Sequence, residues 1–209
     1  MNILLFGANG KVGSLVVAEL LNLECEVRAF VRGEHNLPSS SNLKIINGDV
    51  KNINDVHGAL KDTDIVISCL GSWGTKTKDI LSIGMNNIVH AMQELGCPRI
   101  ISLTGSEARL PGEKPSIIQR ITHPLFKILA RKILQDGEEH LRTLKESSLD
   151  WTVLRSPVMN NFGKPGRFQL KNKYPLPLRT INRKSVAMAL VSQIEDKAFI
   201  KQAPFIFRK

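Results

Sequence analysis

Residues 7–13 read GANGKVG, between an apolar run at 2–6 and a segment whose Val12, Leu15, Val16 and Leu20 recur at helical spacing. That order predicts strand, tight turn, helix. Three glycines three residues apart at such a junction meet three needs: freedom to turn after the strand, a backbone without Cβ where a ligand must approach, and close packing of the helix on the strand. The first amides of the helix point outward with its dipole behind them, a setting that favours an anion. Gly7, Gly10 and Gly13, together with Asn9, Lys11 and Val12, are therefore candidates to hold a dinucleotide pyrophosphate.

The turn has this meaning only inside an alternating α/β chain, and the rest of the sequence supplies one. Strand-like runs fall at 2–6, 26–31, 43–47, 64–70, 99–103, 151–155 and 204–207. Helical segments fall at 11–23, 53–61, 80–95, 117–146 with a break, and 183–195. Such alternation predicts a single-domain Rossmann fold, a doubly wound, mainly parallel sheet with helices on both faces and strand order 3-2-1-4-5-6. No repeat or composition shift marks a second domain, so residues 1–209 are expected to form one NAD(P)-binding unit. Two irregular stretches, about 105–116 and 160–178, follow carboxyl ends of strands, where open parallel sheets bind ligands, and are the expected substrate-side loops.

Composition narrows the function. Cys25, Cys69 and Cys97 are too widely spaced for a zinc site or a disulfide framework, and the five histidines form no metal-binding pair, so no metal is expected. The first apolar run resembles neither a signal peptide nor an anchor, which predicts a cytoplasmic protein with no membrane partner. The net charge of +10 is uneven. Residues 1–100 hold nine basic and ten acidic side chains, and residues 101–209 hold twenty and nine. A basic second half is either a solvated basic face or a surface that attracts an anionic small molecule, nucleic acid or an acidic partner. Nucleic acid is not expected, because aromatic residues for base stacking make up 5% of the chain and the basic residues are dispersed.

The second strand bears on the dinucleotide. An NAD site places an acid about 20 residues past the glycines to accept from the ribose 2′-hydroxyl. Arg32 occupies that place, and a guanidinium fits a 2′-phosphate, so NADP(H) is expected ahead of NAD(H). Glu34, two residues on, is the alternative that would take the ribose hydroxyls.

With AFVR closing that strand, NGDV at 47–50, SCLG at 68–71, LTGSEA at 103–108 and LDWTVLRSPVM at 149–159, the chain resembles the atypical short-chain dehydrogenase/reductase family. The likeness is to the NAD(P)H-binding branch that includes biliverdin-IX beta/flavin reductase and NmrA-like proteins. It implies that Asp49 and Val50 sit by the adenine, that Leu70 and Gly71 flank the ribose, that Thr104 lies near the nicotinamide and that Pro157 and Val158 cover it. Ser106 is the candidate catalytic residue.

The pattern also departs from its relatives. Classical members of the superfamily use YxxxK to protonate a carbonyl oxygen, and here the one tyrosine, Tyr174, is followed four residues later by Leu178. His123 and Lys127 form HxxxK, but Pro124 follows the histidine, which is expected to cap a helix or face solvent. Thr104-Gly105 replaces the Thr-Ser of flavin-reductase relatives, and Val158 stands where some carry histidine. Without a strong acid, hydride transfer to a flavin or quinone is favoured over ketone reduction, since the arriving charge spreads over a conjugated system. Basic segments at 127–132 or 164–173 would suit an anionic acceptor such as FMN, and Trp73 either lines a planar-acceptor pocket or packs. The alternative is a non-catalytic NADP(H) sensor of the NmrA-like kind. A monomer or homodimer fits either reading.

Overall fold

A computed structural model describes residues 1–73, 78–174 and 179–208; positions 175–178 of the expected loop at 160–178 lie outside them. Strands β1 (Asn2–Phe6), β2 (Glu26–Val31), β3 (Leu43–Asn47), β4 (Ile65–Ser68), β5 (Arg99–Gly105) and β6 (Asp150–Ser156) run parallel in the order 3-2-1-4-5-6. This is the order expected from the alternation.

The sheet separates two cores, and β1 shows how. Leu4 and Phe6 face the layer formed by α2 (Ile53–Leu60), α3 (Ile80–Leu95) and α5 (Arg131–Glu146), while Ile3 and Leu5 face α1 (Gly13–Asn22) and α6 (Arg183–Ser192). All four side chains are fully buried. A strand covered on both faces must be apolar at every position, which is why residues 3–6 read as an unbroken apolar run.

Two expectations are corrected. The stretch after β6 carries order that its glycines and prolines conceal. There β7 (Val158–Asn160) pairs in parallel with β9 (Thr180–Asn182), and β8 (Phe168–Lys171) runs antiparallel to β10 (Phe205–Arg208), which itself pairs with β6. These strands are three or four residues long, and the positive φ values of Gly163 and Gly166 fall in the turns between them, so no periodicity accumulates. The helical segment expected at 117–146 breaks, as anticipated, at Ala130 between α4 (Ile117–Leu129) and α5. His123, however, is neither a cap nor solvent-facing. It is buried inside α4, with Nε2 2.8 Å from Glu138 Oε1.

The start of helix α3 has no cap of its own, since the Asp79 side chain makes no capping bond. Asp136 of α5 replaces it. This buried carboxylate accepts from the amides of Leu81 (3.1 Å) and Ser82 (2.8 Å), from Ser82 Oγ (2.6 Å) and from Ser72 Oγ. One charge thus satisfies orphan donors of α3 and ties the loop after β4 to α5. Asp136→Ala is expected to cost about 3 kcal/mol in urea unfolding, a buried charge-assisted network being worth more than one neutral bond. Amide exchange at Leu81 and Ser82 should accelerate far more than at Met92.

Candidate functional site

Gly7 begins the turn with φ +74°, and a Cβ there would lie 2.7 Å from the carbonyl carbon and oxygen of Cys69. Backbone therefore approaches backbone where β1 and β4 end side by side. A Cβ on Gly13 would lie 2.0 Å from Gly7 O, so α1 begins against the turn itself. Gly10 donates its amide to Gly7 O at 3.0 Å, and Val12 at the helix start provides no side-chain cap. The first turn of α1 thus starts at the point where the strand order reverses, the usual binding crevice of a doubly wound sheet. A Cβ on Gly71 or Gly105 would meet nothing within 4 Å, so the edge beside the turn is open at the ends of β4 and β5. This cradle fits a dinucleotide.

The structure brings the candidate residues into two groups. Beyond the end of β2, Arg32 Nη1 lies 3.6 Å from Asp49 Oδ2 in an exposed pair. Asp49 also accepts from the amide of Lys51 (3.0 Å), closing a turn. Val50 is buried, and its carbonyl accepts from Asn87 Nδ2 at 2.9 Å. Gly84 of α3 lets the helix sit on both Val50 and Leu70, since a Cβ there would fall 3.0 Å from Val50 and 2.9 Å from Leu70. Asn9 serves this side as a strut. Its amide donates to Glu34 O (2.9 Å) and its oxygen accepts from the Asn36 amide (3.4 Å), fixing the segment after β2 against the turn. Lys11 is exposed and Val12 buried.

The second group lies at the ends of β5 and β6. Ser106 donates its amide to Ser156 O at 2.8 Å, which sets it beside Pro157 and Val158, and Val158 is exposed. Thr104 is buried with its hydroxyl against α5, where a Cβ on Gly137 would fall 2.9 Å from Oγ1. Trp73 is exposed beyond β4.

Three polar clusters around this edge escaped the sequence reading. Arg155 is buried with its ring-stacking face 3.7 Å from the Phe205 centroid and pairs doubly with Glu113 at 2.6 and 2.8 Å, clamping the loop after β5 onto β6. Glu107, also buried, accepts from Tyr174 OH and from Thr122 Oγ1 (3.1 Å) of α4. Burial and the bond to Glu107 push the Tyr174 phenol well above its ordinary range, so it stays protonated. Finally, His140 is fully buried with Nε2 2.9 Å from Ser102 Oγ. Burial lowers its pKa to about 4 against an opposing pull from Asp136, leaving a neutral imidazole at neutral pH. The arginine stands inside a motif that the sequence did display, but its partner is 42 residues away, and no local spacing links the members of the other two clusters.

Among the described residues, no three potential metal ligands group together and no helix is long and apolar enough to cross a membrane. Cys97 is buried and Cys25 and Cys69 half-buried; all three are free thiols, with burial raising that of Cys69 to about 12.

Residues 7–197 match the NAD(P)H-binding family model. The chain belongs to this NAD(P)H-binding family. A 3-beta-hydroxysteroid dehydrogenase of Mycolicibacterium neoaurum is 28% identical over 123 residues, covering 53% of this chain and 34% of that protein. The match therefore spans about a third of that relative. A wide-type short-chain dehydrogenase/reductase of Veillonella parvula, solved with NADP, superposes with a TM-score of 0.78 at 18% identity, covering 98% of this chain and 93% of the other. The anaerobillin reductase ChuY of Escherichia coli O157:H7 gives 0.77 at 18% identity, over 100% and 97%. The Rossmann architecture is shared with these solved structures, and NAD(P)H binding rests on the family match.

The buried imidazole makes stability depend on pH. Its pKa is lowered in the fold, so between about 6.5 and about 4 the unfolded chain binds a proton that the native state refuses. The contribution is fully present above 6.5 and is lost as the pH falls through the folded value. His140→Gln should flatten urea-unfolding stability across that window, where the native protein loses up to about 3 kcal/mol.

Proposed function

We propose that the protein is an NADPH-dependent oxidoreductase that delivers hydride to a conjugated acceptor of flavin or quinone type, with residues 1–209 acting as one cofactor-binding unit. The observation that carries this reading is the commitment of Tyr174: its hydroxyl donates to Glu107, and its pKa is raised. Ketone reduction calls for a group poised to protonate a developing alkoxide, worth roughly 10²–10⁴-fold in rate. A tyrosine held protonated is the opposite of one acidified by a neighbouring lysine. His123 is engaged by Glu138, and His140 is neutral and buried. A conjugated acceptor spreads the arriving charge and draws its proton from solvent, so this site is suited to it.

In this reading bound NADPH supplies the hydride, and the protein contributes position. The glycine turn and the first amides of α1 hold the pyrophosphate. Val50, Leu70 and Gly71 flank the adenosine, with Asp49 accepting from the adenine amine. Thr104, Pro157 and Val158 shape the nicotinamide end, and Ser106 orients a polar edge of the acceptor. Arg32 takes the 2′-phosphate; its exposed pairing with Asp49 is worth at most about 1 kcal/mol, so the guanidinium turns to a phosphate at small cost. The solved NADP complex of the Veillonella protein and the reductase activity named for ChuY support the reading.

Arg32→Ala should weaken NADPH by on the order of tenfold or more while leaving NADH within about twofold, read by fluorescence titration. Equal losses would remove Arg32 from the 2′-phosphate. NADPH oxidation with FMN, FAD and short-chain quinones, run beside binding calorimetry, tests the activity. Turnover identifies the acceptor class, whereas tight binding without turnover would replace the enzyme with a redox sensor.

A further inference from the structure

Helix α4 is folded with its polar face inward. Its buried residues are Gln119 and His123, and Thr122 reaches Glu107, whereas Ile117, Ile121, Leu125, Ile128 and Leu129 are between 54% and 80% exposed. Spacings of four, four and three or four put these five side chains on one stripe. An isolated exposed leucine needs no explanation, but five along one helix form a continuous apolar surface of the kind that marks an interaction site.

The charges around the stripe say what covers it. Residues 114–132 contain Lys114, Arg120, Lys127, Arg131 and Lys132 and no acidic residue. Arg120 and Lys127, seven residues apart, run along one edge of the stripe, and the other three lie at its ends; all five are exposed. An apolar helix face whose own segment carries cations and no acid is complementary to apolar chains beneath anionic headgroups. A second copy of the chain fits poorly, because a two-fold contact through this face would oppose five cations from each copy with no acid in the segment to offset them.

We propose that the outer face of α4 seats the protein on an anionic phospholipid bilayer, with the isoleucine and leucine side chains below the headgroups and the lysines and arginines among them. The sequence predicts no membrane partner because its first apolar run resembles neither a signal peptide nor an anchor; a helix lying in the interface needs a large apolar face and a basic border instead. The same helix places Thr122 on Glu107 and His123 on Glu138, so docking would hold the β5–β6 edge of the sheet at the membrane surface. Binding to lipid does not depend on which acceptor is reduced, or on reduction at all.

Co-sedimentation of the full chain with vesicles tests this directly. Vesicles of phosphatidylcholine mixed with phosphatidylglycerol should carry the protein down, vesicles of phosphatidylcholine alone should do so far less, and raised salt should release it. Ile121→Asn/Ile128→Asn and, separately, Lys127→Gln/Lys132→Gln should each weaken partitioning on the order of tenfold. All four positions are exposed, and an unchanged thermal melt by circular dichroism establishes that each variant is folded. Equal sedimentation of the variants and the native chain would overturn the proposal. So would the absence of lipid binding, whether the protein is a monomer or a dimer that the isoleucine substitutions split in analytical ultracentrifugation.

Discussion

Between the carboxyl ends of β1 and β4 there is room for peptide backbone but not for a side chain. Gly7 turns there at positive φ, pressed on Cys69 and Leu70, and Gly13 starts α1 against the carbonyl of Gly7. A methyl group at either position would collide with backbone, which cannot rotate away as a flexible side chain could. The consequences run outward from this contact. The chain leaves β1 toward one layer of helices while β4 leads to the other, the strand order reverses, and the crevice that opens there faces the uncapped start of α1. Open space beside Gly71 and Gly105 continues that crevice toward the ends of β5 and β6.

The walls of the crevice are loops, and buried charge gives them fixed positions. Asp136 binds the loop after β4 to the start of α3, Arg155 binds the loop after β5 to β6, and Glu107 binds the same loop to α4 and Tyr174. Each charge is buried among several hydrogen-bonding partners, the condition under which such a group is tolerated in a core. Hydrophobic packing alone would leave these segments free to slide, since apolar contacts have no direction. The hydrogen bonds do, and they act between elements that the sheet has already brought together. Positional precision is what a hydride-transfer site lacking a strong acid would need most.

The sequence displayed whatever depends on neighbours within about twenty residues. The glycine turn, the alternation of strand and helix, the break near Ala130 and the position of Arg32 all follow from local spacing, and the first three reappear in the fold as expected. What was hidden depends on distant partners. Asp136 looks like one more acid on a surface helix until α3 arrives with its unpaired amides 54 and 55 residues away. Arg155 and Glu113 read as unrelated charges. The strands β7 and β9 are three residues each and exist because they pair with each other, not because either has a pattern of its own. Asn9, placed by its motif among the ligand-binding residues, is engaged with Glu34 and Asn36, so its service to the site is to hold the turn in place.

Helix α4 marks the limit of periodicity more sharply. A hydrophobic stripe tells which side chains share a face, and the usual inference that this face turns inward comes from water being the only alternative. In α4 that inference has the wrong sign. Thr122 bonds Glu107 and Tyr174 on the inner side, and His123 bonds Glu138; had the stripe turned inward, those bonds would be lost and the two carboxylates would face leucine and isoleucine. The cost of one orphaned buried polar group, about 1–3 kcal/mol, is comparable to the gain from burying one aliphatic side chain. Several orphaned together would outweigh much of what the stripe could gain by burial, so the polar side goes in. The apolar side is left for a surface outside the chain, and the basic residues around it narrow the chemistry of that surface.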